Sequence, residues 1–146
     1  MTAQLDMKKA LIQTILTGVF ALQAMAQNAQ KPFCGTLENK EFEVFMNIDF
    51  HDNNISIPGQ ELYGLLPGYL GRHRYNFYWP VVKADVKKNK ATLTMVNDYG
   101  SEDLAAQLIQ LDDSTYELKQ LNGSTLKVPN KGKWQKLPKT LLFKRR

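Results

Sequence analysis

Apolar and polar residues alternate most clearly at 41–51, where Phe42, Val44, Met46, Ile48 and Phe50 interleave with Glu43, Phe45, Asn47, Asp49 and His51. A period of two sets one row against a core and the other toward water, which predicts a strand. On a 3.6-residue turn the same apolar set would scatter around the axis, so a helix is excluded. Asp52-Asn53-Asn54 follows, with side chains that tolerate left-handed backbone, and Ile55-Ser56-Ile57 resumes the alternation. Residues 41–57 therefore predict a hairpin.

A second hairpin is predicted at 74–96. Phe77, Trp79 and Val81 share one face of its first strand, and Tyr78, Val82 and Ala84 share the other. Pro80 has no N–H to give a ladder, so it predicts an edge position or a bulge. Lys87-Lys88-Asn89-Lys90 reads as the turn and 91–96 as the return strand. Residues 102–111 fit two periods. Leu104, Leu108 and Leu111 have helical spacing behind a Ser101 cap, whereas Leu104, Ala106 and Leu108 alternate with Ala105, Gln107 and Ile109. The turn at 112–115 and the strand pattern at 116–121 favour a third hairpin. Asn122-Gly123 predicts a tight turn. Short strands are expected at 33–37, 125–128 and 140–144, with a loop at 129–133. Eight to ten short strands joined by short turns predict an all-β domain: a single antiparallel barrel of about eight strands, with a β-sandwich as second choice.

Residues 57–74 break the pattern. This stretch holds four of the nine glycines (Gly59, Gly64, Gly68, Gly71) and two of the six prolines (Pro58, Pro67). Glycine costs conformational entropy inside a regular element, so such density marks a chain that bends or lets other groups approach its backbone. A Gly-interrupted strand and an Ω-like loop both fit, and a bend or lid at the mouth of the barrel is the expected role.

The N-terminus is read as an address. Met7-Lys8-Lys9 supplies a positive start, 10–24 an apolar run, and Ala24-Met25-Ala26 small residues before Gln27, the layout of a secretory signal peptide over 1–26, with Met1 or Met7 as its start. The apolar run is shorter than the roughly 20 residues a span requires. The expected protein is thus one domain over 27–146, exported to the periplasm or beyond. Losing Lys8, Lys9 and Asp6 lowers the formal charge from +5 to +4. One cysteine, Cys34, excludes an intramolecular disulfide, so stability must come from a single core.

Catalytic and metal-binding patterns are sparse. His51, His73 and Cys34 lack ligand spacing, so no metal or other cofactor is expected. No G-x-S-x-G, P-loop or dinucleotide fingerprint occurs, so no catalytic residue is assigned and a non-enzyme is expected; a hydrolase assembled across a sheet would leave no linear trace. Asp98, Glu102 and Asp103 with Asn97 form the densest acidic group, read as a solvated turn rather than a cation site. Six of the fifteen aromatics fall within 63–79. Tyr63, Tyr69, Tyr75, Phe77 and Trp79 are the candidate lining of an apolar pocket, and Arg72 and Arg74 the candidate partners of an anionic head at its rim. From Thr125 onward there are eight basic residues and no acid. That tail fits solvent or an anionic membrane surface, and export argues against nucleic acid.

This β-rich pattern, the glycine-rich bend between early strands, the Ala-Met-Ala-Gln junction and a terminal strand after Lys136-Leu137-Pro138-Lys139 resemble the small exported lipocalin-like barrels of Bacteroidetes-type bacteria. Cys34-Gly35-Thr36-Leu37 carries the glycine of the lipocalin G-x-W signature without its tryptophan. The resemblance implies a barrel whose central cavity holds a small, largely apolar ligand. The leading expectation is therefore an exported binding protein of that kind. The alternative is a protein-interaction or inhibitor module of the cell envelope that uses 57–79 as its surface.

Overall fold

Alternation does specify most of the strands. In the computed structural model, which describes residues 31–98 and 100–146, the chain forms β1 (Cys34–Asn39), β2 (Val44–Asp49), β3 (Gly68–Arg72), β4 (Tyr78–Lys87), β5 (Lys90–Val96), β6 (Asp103–Gln110), β7 (Thr115–Gly123), β8 (Lys127–Asn130), β9 (Lys133–Lys136) and β10 (Thr140–Arg145). A single 3-10 turn at Glu61–Tyr63 is the one helical element among the described residues. The proposed leader at 1–26 lies outside them.

Eight strands close into an antiparallel barrel in the order β1-β10-β7-β6-β5-β4-β3-β2, and β8 and β9 form a separate two-stranded ribbon. The all-β, closed-barrel expectation holds. The barrel runs up and down in chain order, with the β8–β9 ribbon inserted between β7 and β10. Antiparallel neighbours joined in sequence need only short turns, which is why turn residues punctuate the chain so regularly. Closure leaves no barrel edge to template unwanted pairing.

Three local expectations are corrected. The strand at 41–51 shortens to β2, because Asn39 Oδ1 accepts the Phe42 amide at 2.8 Å and Glu43 takes a φ of 54°. Its partners are β1 and β3, not 55–57; Ile55 makes only an isolated bridge with Leu66. Asn122-Gly123 is not a two-residue hairpin turn. It ends β7 beside a bulge at Ala105/Ala106, with the Gly123 backbone pressed against Asp103. Within 102–111 the chain forms the strand Asp103–Gln110, in line with the flanking turns, and the register shift between Val81 and Lys83 follows directly on Pro80.

The stretch 57–74 proves to be two things. Its end is β3, every residue of which is buried. Its start folds back over the outside of the barrel rather than across a mouth. Ile57, Ile55, Tyr63 and Leu66 pack on Phe45, Tyr69 and Tyr78, the outward side chains of β2, β3 and β4, as a small second core. The barrel wall is thus sandwiched between two apolar layers at this point.

The main core fills the barrel. Leu37, Met46, Leu70, Trp79, Leu93, Met95, Leu108 and Phe143 are each 0% exposed and belong to one cluster. Each large apolar side chain so buried contributes about 1.5–3 kcal/mol. One end is closed by Phe33 stacked on Phe50 at 5.7 Å, with Tyr116 edge-on to Phe33 at 5.5 Å. Tyr116 Oη accepts the Phe33 amide at 3.0 Å and Arg145 Nη2 at 2.8 Å.

Candidate functional site

The β8–β9 ribbon caps the other end. Leu126 and Val128 enter the main core, and Trp79 Nε1 donates to the Lys127 carbonyl at 2.9 Å. The Tyr75 hydroxyl accepts the Lys131 amide at 2.9 Å. Arg72 Nη1 donates to Gln135 Oε1 at 2.7 Å, and the same oxygen takes Asn130 Nδ2 at 3.2 Å. A chain of edge-on aromatic contacts runs outward: Trp79 to Phe77 at 6.3 Å, then Phe77 to Trp134 at 4.9 Å. Trp134 remains 49% exposed.

The seven residues expected to line a pocket fall in three places. Tyr63 and Tyr69 belong to the outer layer, where Tyr69 meets Phe45 and Tyr78 edge-on. Arg72, Tyr75, Phe77 and Trp79 converge beneath the ribbon. Arg74 stands on the surface, with a φ of 72° and a 3.5 Å ion pair to Glu43. Arg72 is not at a rim. Its side chain is buried, 3.7 Å from the Glu43 carboxylate and 5.9 Å above the Tyr75 ring, and its Nε has no hydrogen-bond partner. Its hydrogen bond to Gln135 makes it a strut for the cap.

A water-sized sphere does not reach the inner wall at those eight core positions. An eight-stranded barrel is just wide enough either for its own side chains or for one small ligand. Here the side chains occupy it. Clefts open on the outer surface, as at Glu38, Lys40, Glu43, His73 and Arg74. There His73 Nε2 meets Glu38 at 2.9 Å while its ring stacks on Phe45 at 4.9 Å. That hydrogen bond holds the Glu38 carboxyl below the usual range, with Arg146 at 3.4 Å helping and burial opposing.

The acidic group at 97–103 disperses instead of converging. Asn97 Oδ1 accepts the amides of Ser101 and Glu102, Glu102 pairs with Lys127 at 3.2 Å, and Asp98 takes a hydrogen bond from Gln60. Among the described residues no three His, Cys, Asp or Glu side chains gather as metal ligands would.

The basic tail divides between two regions. Lys144, Arg145 and Arg146 are engaged with Thr115, with Tyr116 and with Glu38. Lys131, Lys133, Lys136 and Lys139 are exposed, and no described carboxylate pairs with them. Of these, Lys136 lies on the same ribbon face as Trp134, Lys133 on the other face, and Lys131 in the turn between the two strands. In the ladder Lys127 faces Lys136 and Pro129 faces Trp134, so those four side chains share the face opposite buried Val128. Lys127 Nζ lies 5.4 Å from the Trp134 ring centre. Sequence reading found the charge run but missed Trp134 as its centre, since only the fold places the indole beside Phe77.

No protein-family model, curated protein or solved structure matches this chain significantly.

Proposed function

We propose that the protein is an exported, non-enzymatic binding module that works through the ribbon-capped end of a filled barrel. One observation carries this reading. The ribbon is fixed to the core through Trp79, Tyr75 and Arg72, yet it turns a half-exposed Trp134 and unpaired lysines outward. A rigid support under an accessible aromatic and several cations is how a surface recognises an anionic partner without rearranging. The up-and-down order of eight strands supports the lipocalin-like resemblance at the level of architecture. Solvent-inaccessible inner walls favour outer-surface binding over an internal ligand.

A second reading has its own observation. In the outer layer Leu62 and Leu65 are exposed, at 104% and 65%, on the 3-10 turn and just after it. Apolar side chains held out on a loop anchored by Ile57 suit a protein partner in the envelope.

Hydrogen–deuterium exchange with and without a bacterial envelope fraction separates these readings. Slowed exchange at 127–136 and 73–79 is the expected result. Slowing confined to 57–66 would favour the loop. Stoichiometric uptake of a fatty-acid probe that perturbs Trp79 would favour the cavity.

A further inference from the structure

The geometry points to a partner for the ribbon-capped end: an anionic lipid bilayer surface, on which Trp134 seats at headgroup depth with Lys136 beside it on the same face, while Lys131 and Lys133 at the ribbon's tip add to the positive field. This rests on the ribbon reading above and names its partner class. Charge complementarity is the first argument. The ribbon and the turn that follows it carry no acid, and Lys127 alone among the ribbon's lysines is already paired, with Glu102. Lys131 lies in the turn between the ribbon's strands, Lys133 starts β9 and Lys136 ends it. Three unpaired ammonium groups thus lie within six residues of chain. Clustered lysines are drawn to an anionic leaflet, and each adds roughly a five-fold increase in affinity near the surface.

Trp134 supplies the second argument. Indole combines an apolar body with one N–H donor and concentrates at membrane–water interfaces. Its contact with Phe77 at 4.9 Å and 68° holds the ring edge-on to the barrel, so half of it stays presented rather than folding away. Pro129, opposite it in the ladder, continues the apolar surface without adding charge. A single-stranded nucleic acid would want successive aromatics for stacking. Among the ribbon residues Trp134 is the only aromatic. A bilayer needs just one shallow anchor with cations close to it.

The test uses the chain without its proposed leader, residues 27–146, and vesicles of phosphatidylcholine alone or mixed with phosphatidylglycerol. Cosedimentation and tryptophan emission are read together. Trp79 is sealed in the core, so an emission shift reports Trp134. The expected result is binding to the anionic vesicles alone, a blue shift quenched by brominated lipid, and loss of binding in high salt, where screening shortens to a few ångströms. The triple variant Lys131→Gln, Lys133→Gln, Lys136→Gln should bind roughly 100-fold more weakly, three five-fold steps, with an unchanged circular dichroism spectrum. Trp134→Phe should keep an aromatic ring against Phe77 and cosediment more weakly with the anionic vesicles than the parent.

Absence of anionic-vesicle binding at low salt would overturn the proposal, as would undiminished binding by the triple variant. Equal affinity for dextran sulfate with no emission shift would overturn the lipid assignment in favour of a soluble polyanion. The ribbon reading fails separately, if a whole envelope fraction leaves exchange at 127–136 unchanged. If a lipid-free envelope extract still slows exchange at 127–136, the surface stands and its lipid partner does not.

Discussion

Trp79 Nε1 donates to the Lys127 carbonyl at 2.9 Å, so the ring that fills the barrel also fastens its cap. The two roles are coupled in one side chain. Its carbon skeleton has no solvent exposure and packs in the main cluster, while its single polar atom satisfies a carbonyl of the ribbon. A buried indole generally needs such a partner, and here the partner defines where β8 begins.

Trp79→Phe removes that bond and leaves space where the larger ring stood. Stability to urea should fall by about 2–3 kcal/mol, from the lost hydrogen bond and the partly unfilled volume. Amides of 127–136 should exchange disproportionately faster than those of β5 and β6. If the ribbon kept its protection relative to β5 and β6, the bond would not be what holds the cap.

Gly68 and Gly71 are required by close approach, not by positive φ. A Cβ on Gly68 would sit 2.4 Å from the Asn47 carbonyl oxygen, part of the β2 backbone. A Cβ on Gly71 would sit 2.9 Å from the tip of Phe45 and 3.0 Å from the Tyr78 ring. Rings give way more readily than a ladder. Gly71→Ala should therefore cost about 1–2 kcal/mol and Gly68→Ala about 3 kcal/mol or more, as measured by chemical denaturation. The reverse order would mean that the ring packing over β3 is the stiffer constraint.

These glycines also show how far the sequence carries. β2, β5 and β6 face a core on one side and solvent or a thin layer on the other, so they alternate visibly. β3 is buried on both faces, by the barrel core at Leu70 and by the outer layer at Tyr69, and a doubly covered strand has no polar row to give it a period. Hence 57–74 read as irregular. Of the four glycines there, Gly68 and Gly71 do have other groups close to their backbone, whereas Gly59 and Gly64 face open space at φ of 72° and 67° and serve the bend. The site was less legible. Lysine content made the ribbon look solvated, and the contacts that fix it span long separations, such as Trp79 with Lys127 and Tyr75 with Lys131. No local pattern encodes those pairs. From sequence Arg72 reads as a partner for an anionic head at a pocket rim, because nothing nearby in the chain announces Gln135.

Asp49 ends β2 as a backbone acceptor. Its Oδ1 takes the amides of Asp52 and His51, each at 3.0 Å. The Asp52 amide chiefly, then the His51 amide, hold its carboxyl below the usual range against an opposing effect of burial. A depressed carboxylate stabilises the fold above its unfolded pKa of about 4, and that contribution is lost as pH falls through the folded value. Asp49→Asn keeps an acceptor but loses the charge, so it should cost about 1 kcal/mol at pH 7. The gap to the parent should close as the pH drops below about 4. A gap independent of pH would assign the loss to geometry instead.

Asp98 should show the opposite sign. Burial raises its carboxyl above the usual range, and a hydrogen bond from the Tyr78 amide only partly offsets this. Gln60 Nε2 also donates to it, so the group fastens the start of the outer layer to the end of β5 as well as carrying charge. A raised carboxyl favours folding below the unfolded pKa, and the advantage disappears as pH rises through the folded value. At neutral pH the parent therefore carries the cost of a part-buried charge. Asp98→Asn removes that cost and keeps a carbonyl oxygen for both donors. It should match the parent near pH 4 and become more stable toward pH 7, by at most about 1 kcal/mol because solvent still reaches the group. Thermal melts across that range, with Asp49→Asn run beside it, should give two difference curves of opposite slope. Should Asp98→Asn lose stability at pH 7, the charge on the Gln60 contact would outweigh the burial cost, and the anchoring of the outer layer would be electrostatic.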